Sequence, residues 1–170
     1  MKTIGSIGLG AMGGSYAKFL IEDNYTVYGV DPDTLNAETF KSLGGLLLNN
    51  VSELIDKCNV IILSLPTVPI FKEVINEIEV NGKSNVSKIL IDMNTISLDD
   101  KIETKNKLEK LNISMVDAPV SGTGAQAKVK DIVVMSSGDK IIIDECDEIF
   151  RSFSKQNIYV GDFGNGIKFK

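Results

Sequence analysis

Residues 2–23 read KTIGSIGLGAMGGSYAKFLIED, and the fold turns on how this stretch is read. KTIGSIG has the character of a short buried strand. From Ala11 to Asp23, Met12, Tyr16, Phe19 and Leu20 recur on one face, which is helical spacing. Between strand and helix, Gly8, Gly10 and Gly13 spell G-x-G-x-x-G. The pattern means little alone, but this setting makes it specific. The first glycine permits a tight turn, the second lets backbone approach a pyrophosphate, and the third lets helix and strand pack closely. Free N–H groups and the positive helix end then face an anion. Gly8, Leu9, Gly10, Ala11, Met12 and Gly13 are therefore the candidate cofactor loop.

Outward from this loop, TVYGV is a second strand and ends at Asp31-Pro32. Asp31 follows the glycines at about 20 residues, the spacing expected of a carboxylate that accepts bonds from the adenosine ribose. It would also repel a 2′-phosphate, so the expected cofactor is NAD in preference to NADP. The remaining chain alternates β-rich runs with helical patterns. Helices are expected over Thr34–Leu43, Ser52–Lys57, Pro69–Ile78, Leu98–Leu111 and Lys140–Phe153. LLL (46–48) is a weak strand. NVIILSL and KILIDM are nearly continuous apolar runs, as in strands buried on both faces. ISMVDAPV, DIVVMSSG and QNIYVG are further strands, and SGTGAQAK reads as loop.

Such alternation implies an α/β Rossmann fold, doubly wound, with a mostly parallel sheet and helices on both faces. Connections near the end of the chain are less regular, which leaves the last two strands open to an antiparallel edge arrangement. In this fold the ligand lies at the carboxyl ends of the strands. SLPT (64–67), DMNTIS (92–97) and DAPVSGTG (117–124) fall there, each closing an apolar run with small, hydroxyl-bearing or proline residues.

Composition narrows the class further. The 170 residues suit one domain and carry a net charge of −5, which argues against nucleic-acid and anionic-membrane partners. No apolar run approaches the length of a membrane span. The glycine-broken N-terminus is unlike a signal peptide, so a cytoplasmic protein is expected. Histidine is absent and the two cysteines, Cys58 and Cys146, lie far apart. That leaves no metal-ligand spacing and excludes a histidine-based triad within the chain. Both cysteines read as buried small hydrophobes.

GLGAMG, the Leu-Pro of SLPT, DMNTIS, DAPVSG, Met135 in VVMSSG and the closing GNGIKFK together resemble the β-hydroxyacid dehydrogenases. This group includes 3-hydroxyisobutyrate dehydrogenase and 6-phosphogluconate dehydrogenase. DMNTIS and DAPVSG are more similar to the 3-hydroxyisobutyrate branch. The resemblance implies that Leu65, Pro66 and Thr95 contact the nicotinamide end. It implies that Ser121, Gly122 and Thr123 hold a substrate carboxylate. The closing G-x-G-x-x-x-K motif maps onto Gly164, Gly166 and Lys170, so Lys170 falls on the catalytic lysine and Lys168 is the competing choice. An ammonium beside the positive end of a helix starting near Gly164 would lose its proton more readily. Burial against a second domain would add to this.

The resemblance also implies a division at residue 163. Residues 1–163 would form the dinucleotide-binding unit and 164–170 a stub of an interdomain helix. The family's helical domain, through which the whole protein forms a homo-oligomer, lies outside these 170 residues, so the isolated chain is expected to turn over little substrate. Departures lie on the substrate side: Thr123 and Lys130 stand where glycine is common, and Gln126-Ala127 where Gly-Ala is expected. They leave two alternatives open, an aldehyde or imine reductase of the same fold and a non-catalytic dinucleotide-binding module.

Overall fold

The computed structural model describes residues 3–81 and 86–170. The opening stretch forms β1 (Thr3–Ile7) and α1 (Gly13–Glu22), joined by the glycine loop. Then follow β2 (Thr26–Val30), α2 (Thr34–Ser42), the two-residue β3 (Leu46–Leu47), α3 (Val51–Lys57), β4 (Val60–Leu63) and α4 (Val68–Asn81). The second half continues with β5 (Lys88–Asp92), α5 (Leu98–Glu109) and β6 (Ile113–Asp117). Each of these six strands is parallel to its neighbours, in the order β3-β2-β1-β4-β5-β6. The order reverses between β1 and β4. There a crevice opens at the carboxyl ends of the strands, where doubly wound folds bind their ligands.

Apolar side chains on both faces of the sheet explain why it is sandwiched. β4 is buried at all four positions. On one face Ile4 and Ile62 pack with Tyr16 and Leu20 of α1. They share that core with Phe150 and Phe153 of α7 (Lys140–Phe153). The Tyr16 and Phe153 rings are 4.6 Å apart. On the other face Ile61 and Leu63 pack with Leu54, Phe71, Ile75 and Leu108. Fully burying each such side chain contributes about 1.5–3 kcal/mol.

Two expectations are corrected beyond β6. Strands β8 (Val133–Ser136) and β9 (Gln156–Tyr159) are parallel, not antiparallel. They form a β-α-β unit, because α7 crosses between them. They belong to a second, three-stranded sheet, β7-β8-β9, in which only β7 (Val120–Ser121) runs antiparallel. An isolated bridge from Asp117 to Ser137 joins the two sheets. SGTGAQAK, expected as loop, contains the end of β7 and a one-turn helix, α6 (Gly124–Ala127). Thr123 and Gln126 close a reciprocal capping box at its start. The T-x-x-Q spacing carried that signal in the sequence.

Helix ends shift by a few residues: α1 starts at Gly13 rather than Ala11, and α4 runs on to Asn81. The last element, α8 (Asn165–Phe169), follows Gly164, whose φ of 90° is left-handed. A Cβ at Gly164 would lie 2.4 Å from Leu98 Cδ1, and one at Gly166 would lie 2.6 Å from Met135 O. Both glycines let α8 lie flat against the end of the sheet.

Candidate functional site

A cleft of about 630 Å³ sits at the β1/β4 switch point. Gly8, Gly10, Ala11, Met12 and Gly13 form one wall, with Asp31 beside them and Leu65 and Pro66 opposite. The three glycines are not equivalent. A Cβ at Gly8 would lie 2.2 Å from Ser64 O, and its φ is 88°. A Cβ at Gly13 would lie 2.0 Å from Gly8 O. Those two are demanded by the protein itself. A Cβ at Gly10 meets nothing within 4 Å and projects into open space. Gly10 therefore has no packing reason to be glycine, and what it preserves is room beside the loop N–H groups. The loop fits a pyrophosphate on that ground.

Leu9 differs from its neighbours in the loop. Its side chain is buried in the core, and its N–H donates to Asp31 Oδ2 at 2.6 Å. Asp31 Oδ1 accepts from Asp33 N at 2.8 Å, and Oδ2 also from Asn36 Nδ2 at 3.3 Å. The carboxylate is thus fixed at the rim of the cleft. Oδ2 is filled by its two donors, and Oδ1 keeps one acceptor position for a ribose hydroxyl.

Thr95 and Lys170 lie outside the cleft lining but are coupled to it. Lys170 Nζ donates to Thr95 Oγ1 at 2.6 Å. The preceding Asn94 accepts from Leu65 N through Oδ1 at 2.6 Å, which ties the DMNTIS and SLPT segments together. Lys168 is exposed. Lys170 titrates below the ordinary lysine range, first because partial burial strips water from its ammonium and second because of the Lys101 charge. The cause expected from the sequence is corrected here. Lys170 follows the last residue of α8 rather than its first turn, so the positive helix end is not what acts on it.

Ser121, Gly122 and Thr123 are exposed and form a separate stretch. Gly122 has φ 142°, and a Cβ there would meet Ile132 Cγ2 at 2.6 Å. Thr123 spends its hydroxyl capping α6, accepting from Gln126 N at 3.4 Å. A Cβ added at the next residue, Gly124, would lie 3.3 Å from Ala11 Cβ. This stretch therefore abuts the glycine loop from the far side.

A group of residues that the sequence reading passed over lies beneath the site. Asp92 and Asp117 end β5 and β6, are paired in register and are completely buried. Lys101 of α5, also completely buried, places Nζ 2.5 Å from Asp92 Oδ2 and 2.9 Å from Asp117 Oδ1. Burial pushes the Asp92 carboxyl up from its ordinary value, against the pull of Lys101. Removing one partner from a cluster of this kind typically costs about 3–5 kcal/mol. The signal in the sequence was Lys101 itself, which shares the buried face of α5 with Thr104 and Leu108.

A Rossmann sheet, a glycine loop at its switch point and a rim carboxylate define a dinucleotide-binding domain. The family model of the NAD binding domain of 6-phosphogluconate dehydrogenase matches residues 3–161, and the chain belongs to that family. It is 27% identical over 164 residues to the 2-(hydroxymethyl)glutarate dehydrogenase of Eubacterium barkeri, covering 96% of this chain and 54% of that one. It is 30% identical over 172 residues to the mitochondrial 3-hydroxyisobutyrate dehydrogenase of Rattus norvegicus, covering 96% and 49%. The chain thus spans about half the length of these relatives. Among solved structures, the 3-hydroxyisobutyrate dehydrogenase of Mycobacterium tuberculosis with L-serine superposes with a TM-score of 0.93. Identity there is 25%, over 99% of this chain and 57% of that one. An imine reductase variant from Myxococcus stipitatus in complex with NAD+ shares the fold, at 17% identity and a TM-score of 0.90, over 99% of this chain and 58% of that one.

Proposed function

We propose that this chain is the cofactor-binding part of an oxidoreductase acting on a small β-hydroxyacid or its semialdehyde or keto form. Residues 1–163 make up the dinucleotide unit, and residues 164–170 start the connection toward the substrate-closing part of the enzyme. The observation that carries the reading is the open space at Gly10 between two glycines that the fold itself requires.

In this reading the loop N–H groups from Gly10 to Gly13 hold the pyrophosphate, with Gly8 and Leu9 shaping the turn, and Asp31 holds the adenosine ribose, which favours NAD over NADP. Leu65, Pro66 and Thr95 flank the nicotinamide. When bound, that ring supplies the acceptor or donor of hydride. Ser121, Gly122 and Thr123 hold the substrate carboxylate. Lys170 Nζ moves the hydroxyl proton, taking it in oxidation and returning it in reduction. Its hydrogen bond to Thr95 and its lowered pKa support this role.

Two measurements test the proposal. The chain should quench or enhance NADH fluorescence on titration; a flat titration at millimolar NADH would refute it. In enzyme assembled with its substrate-closing part, Lys170→Ala should lower turnover by about 10²–10⁴-fold, with cofactor affinity nearly kept. The imine-reductase fold match and the altered substrate side at Thr123, Gln126 and Lys130 keep a second reading in view. Parallel assays with hydroxyacids, semialdehydes and cyclic imines separate the two.

A further inference from the structure

We infer that Lys101 is a positioning residue for Lys170, holding the helix that carries it through Asp117 and the cofactor-facing loops through Asp92. The inference rests on the proposed role of Lys170 and adds what keeps that residue in place.

α8 is five residues long, and its N-cap, Gly164, has no side chain to cap it. The first N–H groups of a helix need acceptors. Here they find them outside the helix. Gly166 N donates to Ser137 Oγ at 2.9 Å, and Ile167 N donates to Asp117 Oδ2 at 3.0 Å. Ser137 Oγ in turn donates to the same Asp117 oxygen at 3.0 Å. The other oxygen of Asp117 faces Lys101 Nζ. One buried carboxylate thus caps α8 on one side and meets an ammonium on the other.

Asp92 repeats the arrangement toward the cofactor. Its Oδ2 meets Lys101, while its Oδ1 accepts from Asn94 N at 3.0 Å and Asn94 Nδ2 at 2.7 Å. Asn94 Oδ1 then accepts from Leu65 N, and Thr95 is the next residue along. Lys101 therefore sits where two chains diverge, one starting with its ion pair to Asp117, whose Oδ1 has no hydrogen-bond partner among the described residues, and the other with its hydrogen bond to Asp92. One ends at the backbone that carries Lys170, and the other at the residues beside Thr95, the partner of Lys170.

Lys101 Nζ bridges the two buried carboxylates, so without it the Asp117 carboxylate that accepts from Ile167 N loses the cation facing its other oxygen. The Lys101 charge also bears on the Lys170 ammonium. A substitution at Lys101 should thus reach Lys170 in two measurable ways.

The test uses Lys101→Met and the charge-reduced pair Lys101→Met with Asp92→Asn in this chain, by amide hydrogen exchange and competitive amine labelling. The Gly166 and Ile167 amides should exchange at least about tenfold faster in whichever variant folds, while Ile62 and Leu90 stay protected. In Lys101→Met, the pH midpoint for labelling Lys170 should move upward, because a neighbouring cation is gone. Unchanged exchange at Gly166 and Ile167 overturns the inference. So does loss of the whole fold in both variants, which would make Lys101 a residue of general stability. Neither readout involves turnover. Failure of NADH to bind the unaltered chain would refute the proposed function, while these two results would still decide what Lys101 does.

Discussion

Replacing Gly10 and Gly13 separately by alanine should have opposite consequences. Gly13→Ala puts a methyl 2.0 Å from Gly8 O and 3.1 Å from Ser64 Cβ, and the nearer atom is backbone. Loop and helix must part, and overpacking of this kind costs about 1–3 kcal/mol. In a domain of this size each kcal/mol is about 2–4 °C, so the melting point should fall by roughly 2–12 °C. Gly10→Ala adds a methyl in open space, at a position without left-handed φ. The stability of that variant should hold or rise by about 0.4–1 kcal/mol through lost freedom of the unfolded chain.

Cofactor binding reverses the order. NAD at 100 times its Kd stabilises by about 2.7 kcal/mol, a rise of about 5–11 °C in the unaltered chain. The Gly10→Ala methyl stands where a phosphate must approach. Losing two hydrogen bonds to a charged group, at about 1.5–3 kcal/mol each, lowers affinity at least about 100-fold. The thermal shift should then shrink to about 1 °C. Melting curves with and without NAD decide the matter. A Gly10→Ala chain that keeps the full shift would show that the open space is not a phosphate site. A Gly13→Ala chain that melts with the unaltered protein would sink the packing argument.

Other outcomes follow from the same geometry. Asp31→Ala should weaken NADH at least about tenfold and NADPH much less, since the lost carboxylate helps one and repels the other; equal losses in parallel fluorescence titrations would remove Asp31 as the discriminator. In the assembled enzyme, oxidation should speed up as pH rises through the lowered pKa of Lys170, where the amine becomes a base, and reduction should slow over the same range. A profile with its midpoint in the ordinary lysine range would contradict that assignment. The Cys58 thiol is buried and pushed up to about 12. At pH 8 it should react with an aromatic disulfide only as fast as the chain opens, and reaction within seconds in native buffer would show the site to be accessible.

The core of the fold was legible because its signals are local and periodic. NVIILSL and KILIDM announce buried parallel strands by nearly continuous apolar runs, and KTIGSIG and the glycine loop announce themselves by their order before a helix. The second sheet was harder. β7 and β8 are two and four residues long, and no spacing announces their pairing of Val120 with Val134 and Ser121 with Val133. α6 was passed over because one helical turn has no period, although Thr123 and Gln126 spelled its cap. For the site, the glycines and Asp31 were readable since each acts within one β-α unit. Thr95 and Lys170 were reachable only through the family resemblance, because 75 residues separate two side chains that share one hydrogen bond.

Lys101 shows why a charged residue on a buried helix face is informative. Periodicity treats it as a fault in the apolar stripe of α5, beside Thr104 and Leu108. The strand ends on either side supply the reason. Parallel register sets Asp92 against Asp117, so the pleat that aims one carboxylate at the core aims the other there too. Without Lys101 the two buried carboxyls would be left with no cation between them. With it, one oxygen of each acid faces the ammonium and the other accepts from Asn94 or Ile167. The same Lys101-bridged pair thus fixes the SLPT and DMNTIS segments and α8 to one base. Rigidity matters most where a proton must be moved over a hydrogen-bond distance, because an error of about 1 Å in such a placement can cost about 10²-fold in rate.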